Sequence, residues 1–244
     1  MRIRFLGSGD AFGSGGRLQT CIVLETPAGS VLVDCGASAL IGMRRFAVEP
    51  NSIDTILLSH LHGDHFGGIP FFILDAQLVS KRVRPLVIAG PVGTRERTRQ
   101  AMEVFFPGSS AIQHAFPVEI VELEPQQPRT VGPVSVTAFL VEHASGAPAL
   151  ALRMTCAGKT ITYTGDTAWT DALIPAARDS HVLIAEAYFY EKRVPYHLDL
   201  RTLLAHLPEL RVERLLITHM SSDLLGRLDT LSCEWAEDGK VIEV

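Results

Sequence analysis

The most constraining stretch of this chain is His60-Leu61-His62-Gly63-Asp64-His65, which gathers three imidazoles and a carboxylate within six residues. Just before it, residues 52–59 (SIDTILLS) carry Ile53, Ile56, Leu57 and Leu58 and stop at Ser59, the pattern of a buried strand. Just after it, Gly67, Gly68 and Pro70 lead into residues 71–79 (FFILDAQLV), an apolar run long enough for a core helix. A strand feeding a loop and then a helix is where an open α/β sheet carries its sites. His60 and His62, two apart on extended backbone, point the same way and can chelate one ion. Asp64 and His65 lie past the turn, displaced enough to serve a second. Imidazole and carboxylate suit zinc, manganese or iron, and the lack of thiolates argues against a closed structural zinc site. The competing explanation is a surface histidine cluster, which would have no reason to fall on a strand–loop–helix boundary.

Four residues cannot complete two metal sites, so further donors are expected at other strand ends. Val134 to Val141 alternates as a strand and is followed by Glu142-His143. Lys159 to Thr164 runs into Gly165-Asp166-Thr167, and Arg214 to Thr218 ends at His219-Met220-Ser221-Ser222. A lone histidine at a strand end is commonly a satisfied core or surface residue; several such groups on strand ends make that explanation weak.

HLHGDH, Glu142-His143, Thr164-Gly165-Asp166 and Thr218-His219-Met220-Ser221-Ser222 together resemble the metallo-β-lactamase superfamily over essentially the whole chain. The resemblance implies an α/β fold of four αβ/βα layers, with two facing mixed sheets and helices outside, as a single domain over residues 1–244. It also implies two divalent ions, zinc first, with manganese or iron as alternatives. One ion falls to His60, His62 and His143, the other to Asp64, His65 and His219, with Asp166 and a shared water between them. Ions about 3.5–4 Å apart need such an anionic bridge, and together they hold hydroxide near neutral pH. Two dications less two carboxylates and a hydroxide leave the centre cationic, which suits a phosphodiester monoanion better than a neutral ester, thioester or lactam.

Glu186 ends the apolar strand His181 to Ala185, and His197 follows in Pro195-Tyr196-His197-Leu198-Asp199-Leu200-Arg201. The pair resembles an acid catalyst and its orienter in the phosphodiesterase branch of the superfamily, which includes tRNase Z and the cyclic-phosphate phosphodiesterases of phosphonate breakdown. Catalysis is thereby assigned to His197, Glu186 and Asp64. Diester hydrolysis expels an alkoxide, and a positioned proton donor contributes about 10²–10⁴-fold. His197 is expected to open a helix over Leu198 to His206, whose dipole disfavours imidazolium while Glu186 offsets it. In tRNase Z the matching motifs read HEAT and HST; here they read Ala185-Glu186-Ala187-Tyr188 and His197-Leu198-Asp199, so the acid and the histidine are kept and their neighbours are not. Residues 196–222 are similar to the cyclic-phosphate enzymes, and the glycine-rich opening Phe5 to Arg17 is similar to a first loop that lines the metal cleft. That opening is not a dinucleotide fingerprint, because Phe12 stands where the third glycine belongs.

The small phosphodiester is also the better expectation on charge. Net charge is −5 with a pI near 6.0, which argues against a large nucleic-acid footprint. Lys81, Arg82, Arg84, Arg95, Arg97 and Arg99 make one basic segment, read as a solvated face, with an RNA contact as the alternative. The interval from His65 to His143 reads as helix, strand, helix, strand, without an insertion to build the projecting arm by which tRNase Z grips tRNA. Further helices are expected at 37–48 and 94–106, and a hairpin from 21–26 and 30–33. The four cysteines form no C-x-x-C pair and imply no disulfide. Without a signal core of about 7–15 apolar residues or a span of about 20, a cytoplasmic location is expected. Exposed apolar residues within 71–79 would permit a homodimer. Lactone or thioester hydrolysis, a di-iron redox role and a binding module are the alternatives to a phosphodiesterase.

Overall fold

In the computed structural model, which describes residues 1–244, the apolar strands assemble into two seven-stranded mixed sheets. The first contains β1 (Arg2–Gly7), β2 (Cys21–Thr26), β3 (Gly29–Val33), β4 (Ile53–Leu57), β5 (Leu86–Gly90) and β6 (Val118–Glu122). The second contains β7 (Arg129–Val131), β8 (Val134–Val141), β9 (Ala149–Cys156), β10 (Lys159–Tyr163), β11 (Val182–Glu186), β12 (Leu215–Thr218) and β13 (Glu234–Trp235). The last strand, β14 (Val241–Glu243), returns to pair antiparallel with β1, so the first sheet runs β14-β1-β2-β3-β4-β5-β6. The second runs β13-β12-β11-β10-β9-β8-β7. Each sheet is an antiparallel meander that turns parallel, after β3 in one and after β10 in the other.

Alternation along the strands feeds separate cores. Ile22 and Leu24 of β2 face the second sheet, where they meet Leu152, Met154, Ile161 and Ile184, while Cys21 and Val23 face outward. That outer face is covered by α1 (Ala39–Arg45), the short α2 (Gly63–Phe66), α3 (Ile69–Leu78) and α4 (Thr94–Phe105). Leu183 and Ala185 of β11 face the opposite way, under α5 (Leu173–Ala177), α6 (Leu200–Leu210) and α7 (Ser222–Leu225). Strands buried on both faces explain the near-continuous apolar runs, and the result is the expected four-layer αβ/βα order. No helix is long and apolar enough to cross a membrane.

Three expectations need correction. The helix placed at 198–206 starts at Leu200, because Asp199 caps it by accepting from Thr202 N at 2.9 Å, and it runs past Pro208 to Leu210. His197 therefore precedes the cap and lies in the loop. Arg82 does not belong to a solvated basic face: it is buried, donates to the Ile53, Arg84 and Pro85 carbonyls and pairs with Asp54. The helix expected at 37–48 is confined to Ala39–Arg45. On α3, Phe72, Ile73 and Ala76 pack inward, whereas Phe71 and Leu78 keep exposed surface, as does Val79 just beyond it.

Candidate metal centre

All seven residues singled out as donors meet at one edge of the two sheets. His60, His62, Asp64 and His65 follow β4; His143 follows β8, Asp166 follows β10 and His219 follows β12. They form two groups, His60 with His62 and His143, and Asp64 with His65, Asp166 and His219. The sheets are stitched together beside them, Leu150 N donating to Ser59 O at 2.9 Å and His219 N to Ser8 O at 3.2 Å. Asp34 and His219 both take positive φ, +56° and +59°. Backbone held in sparsely populated regions at a cleft is characteristic of functional sites.

Hydrogen bonds behind the imidazoles fix which nitrogen faces the centre. His65 Nδ1 donates to Asp34 Oδ2 at 2.7 Å, and His143 Nδ1 donates to the Tyr196 carbonyl at 2.9 Å. Ser59 Oγ donates to Asp34 Oδ2 at 2.7 Å, so it accepts from His60 Nδ1 at 3.1 Å. His219 Nδ1 lies 3.5 Å from Glu186 Oε1. For His60, His65 and His143 the proton on Nδ1 leaves the Nε2 lone pair for the centre, the arrangement found behind metal-bound histidines. His62 differs, presenting Nδ1, 3.0 Å from His143 Nε2.

The facing atoms are spaced as ligands are. Nitrogen and oxygen donors bound to zinc stand about 3.3–3.6 Å apart along the edges of a tetrahedron. Here His65 Nε2 is 3.4 Å from His219 Nε2, Asp64 Oδ2 is 3.2 Å from both, and Asp166 lies 3.3 Å from His65 and 3.4 Å from His219. Asp166 Oδ2 is also 4.0 Å from His60 Nε2 and from His143 Nε2, so its carboxylate stands between the two groups. His60 Nε2 is buried without any hydrogen-bond partner. A neutral donor orphaned in the interior costs about 1–3 kcal/mol unless something accepts its lone pair.

Electrostatics divides the groups in the same way. Burial, helped by His65, keeps His60 well below the usual imidazole range, and burial lowers His62, so both present neutral rings. Burial also opposes charge on His65 and His219, but Asp166 with Asp64 outweighs it, lifting His65 well above its ordinary value and His219 to about 10. Against burial, the same contacts hold Asp64 and Asp166 far below the carboxylate range. The second group thus calls for positive charge. Two protons on Nε2 atoms 3.4 Å apart would repel, whereas a cation between them satisfies both. The residues fit a pair of divalent ions.

Glu186 and His197 adjoin this centre. Glu186 is buried, its Oε1 bonds His197 Nδ1, and its Oε2 accepts from Thr167 N at 2.7 Å. Burial lowers the His197 pKa, but the Glu186 carboxylate, with Asp166, overrides it and the net shift is upward. A cleft of about 170 Å³ opens in front of them, lined by Asp10, Phe12, His62, Asp166, Tyr188 and His197 among others. The glycine-rich opening loop therefore does line the cleft, through Asp10, Ala11 and Phe12.

The sequence-family comparison decides the lineage: a β-lactamase superfamily domain model matches residues 30–220. This chain belongs to the β-lactamase superfamily. Among curated proteins it is similar to ribonuclease BN of Citrobacter koseri, 36% identical over 147 residues, 59% of this chain and 46% of that protein. The chain thus matches about half the length of such relatives. The solved human tRNase Z short form superposes with a TM-score of 0.81 at 26% identity, covering 100% of this chain and 99% of that one. A diphosphatase of the PhnP family has a TM-score of 0.80 at 19% identity, covering 100% and 97%, a likeness of fold.

Several residues of the site were missed in the sequence. Asp34 ends the apolar run Val31 to Val33, the same strand-end signal that located Asp166, and could have been found by it. Ser59, Tyr188 and the Tyr196 carbonyl left no comparable signal, because their roles depend on which loops meet.

Proposed function

We propose that this chain is a dinuclear metal-dependent phosphodiesterase acting on a small or cyclic phosphodiester. Its ligands are His60, His62 and His143 for one ion, Asp64, His65 and His219 for the other, with Asp166 shared. The observation that carries the reading is His197, held from behind by buried Glu186, lining the same cleft as His62, Asp64, Asp166 and His219. Two bound dications, zinc being the best match to the nitrogen-rich donors, supply charge neutralisation at the phosphoryl oxygens and a lowered pKa for water.

The chain's own part is positioning and proton transfer. Glu186 accepts from His197 Nδ1, so Nε2 carries the mobile proton toward the leaving oxygen. Asp64 joins the second group's histidines at 3.2 Å and orients them. Asp34 and the Tyr196 carbonyl lock the ring planes of His65 and His143. Tyr188 lies beside His197, with ring centroids 4.9 Å apart, and closes one side of the cleft. The cleft itself has a volume of about 170 Å³.

The decisive experiment is turnover of bis(p-nitrophenyl) phosphate by metal-free and zinc- or manganese-loaded protein, beside a lactone and a p-nitrophenyl monoester. Metal-dependent diester cleavage without comparable lactone or monoester turnover supports the reading; rapid lactone turnover with an inert diester overturns it. The likeness to ribonuclease BN and to tRNase Z favours a second reading, RNA 3′-end cleavage by the same chemistry. It predicts binding of structured tRNA that weakens steeply with salt.

A further inference from the structure

His197 lines two cavities. One is the cleft over the donor cluster; the other is a groove of about 280 Å³ that shares no other wall residue with it and includes Trp169, Arg193, Val194, Leu198 and His206. Under the phosphodiesterase reading, the leaving oxygen must lie where His197 Nε2 can protonate it, and the rest of the leaving group must extend beyond that point. The P–O bond to that oxygen breaks with its electron pair on the oxygen, which takes the His197 proton, while water forms the new P–O bond and releases its own proton to solvent, from which His197 is reprotonated. Because in-line displacement sends the leaving group away from the attacking side, the group must leave the cleft past the proton donor, and the groove that shares His197 with the cleft is placed to receive it.

The groove has a definite chemistry. Trp169 offers a flat apolar wall, stiffened by His206 stacked on it at 3.8 Å and 11°. The Arg193 side chain is 84% exposed and its nearest acidic neighbour is Asp199, at 3.9 Å. That carboxylate is already engaged by Thr202 N at 2.9 Å and Thr202 Oγ1 at 2.7 Å, as the cap of α6. Arg201, the neighbouring cation, is paired with Glu191 at 2.9 Å. Arg193 is therefore a largely exposed guanidinium, held only by a long ion pair to Asp199, beside an apolar wall and next to the proton donor.

We propose that this groove is the leaving-group subsite, and that it takes an alcohol bearing an anionic group, bound by Arg193 with its body against Trp169. The proposal rests on the phosphodiesterase reading and makes Arg193 a specificity-determining residue.

The test uses paired probes on a Trp235→Phe background, so that Trp169 is the remaining tryptophan. Binding of 3-carboxy-4-nitrophenol and of 4-nitrophenol to metal-free protein is followed by quenching of Trp169. Turnover of the matching methyl aryl phosphodiesters is measured with zinc-loaded protein. The carboxylated member of each pair is expected to be preferred, and Arg193→Gln should cut that preference about threefold to tenfold in affinity and in kcat/KM, the scale of a partly exposed charge-assisted pair. Arg193→Lys, which keeps the charge but loses the fork, should restore part of it. Diester turnover with a preference untouched by Arg193→Gln overturns the subsite and leaves the phosphodiesterase reading standing. Binding that depends on Arg193, without turnover of either diester, overturns the phosphodiesterase reading and the assignment to a leaving group with it.

Discussion

The two sheets are built alike and serve the candidate centre differently. Each is a meander that turns parallel. The first delivers its donors from one loop after β4, four residues within His60 to His65. The second delivers single residues from separate strand ends: His143, Asp166 and His219, plus Glu186 at the end of β11. A single loop can be rigid by itself, whereas separate strand ends are registered only by the sheet. The second half therefore carries Asp166, which lies between the two donor groups, and the Glu186–His197 pair, at the cost of depending on packing.

The sharpest way to break this comparison is to remove the residue on which both donor groups converge. Asp166→Ala is expected to abolish diester turnover and to lose at least one ion per chain, by elemental analysis of dialysed protein. Full occupancy by two ions in that variant would defeat the bridging role. Next in size, His197→Ala should keep its metal and lose about 10²–10⁴-fold in kcat on diesters with poor leaving groups. The loss should shrink as the leaving-group pKa falls, so a flat dependence would remove His197 as the acid.

Supporting carboxylates then separate the halves. Asp34 serves His65 within the first half, so Asp34→Asn should weaken metal binding by about 10–100-fold and activity in step with it. Glu186 faces both His219 and His197, so Glu186→Gln should reduce activity by more than it reduces metal affinity. Equal losses in the two measurements would mean that Glu186 only supports His219.

Smaller effects concern folding. Gly165 has φ +60°, and an added Cβ would lie 2.9 Å from Ser59 Cβ, where the sheets meet. Gly165→Ala should cost about 1–3 kcal/mol in urea unfolding, and more than Gly158→Ala, whose φ is +76° but which has open space around it. The pH dependence of stability of metal-free protein probes the second donor group alone. His219, raised to about 10, and His65, raised too, contribute stability that is complete below the unfolded value of about 6.5 and is lost as pH rises toward 10. Asp64 and Asp166, held low, contribute stability that is lost only as pH falls below the ordinary carboxylate range. Melting temperature of chelated protein should therefore decline from pH 6.5 toward 9, and zinc should flatten that decline by replacing the protons.

Legibility followed the same division. The first-half donors could be read directly because a contiguous loop keeps its members together whatever the fold. His143, Asp166 and His219 were legible because each ends an apolar run, and parallel neighbours put such ends on one edge. The helix expected at 198–206 starts only at Leu200 because Asp199 takes the cap, and it continues through Pro208 to Leu210. Arg82 was misread because charge in a basic segment suggests solvent, while Asp54 and three carbonyls satisfy it inside.

By itself the sequence determined the donor types and the strand ends that bear them, because these rest on local periodicity and on one contiguous motif, whereas the αβ/βα order came only through the family resemblance those motifs carry. Only the tertiary structure decided which nitrogen of each histidine faces the centre, that Glu186 reaches both His197 and His219, and that His197 separates a cleft from a groove. Those are properties of distances between side chains far apart in the chain, and such distances exist only once both sheets have closed on their common core.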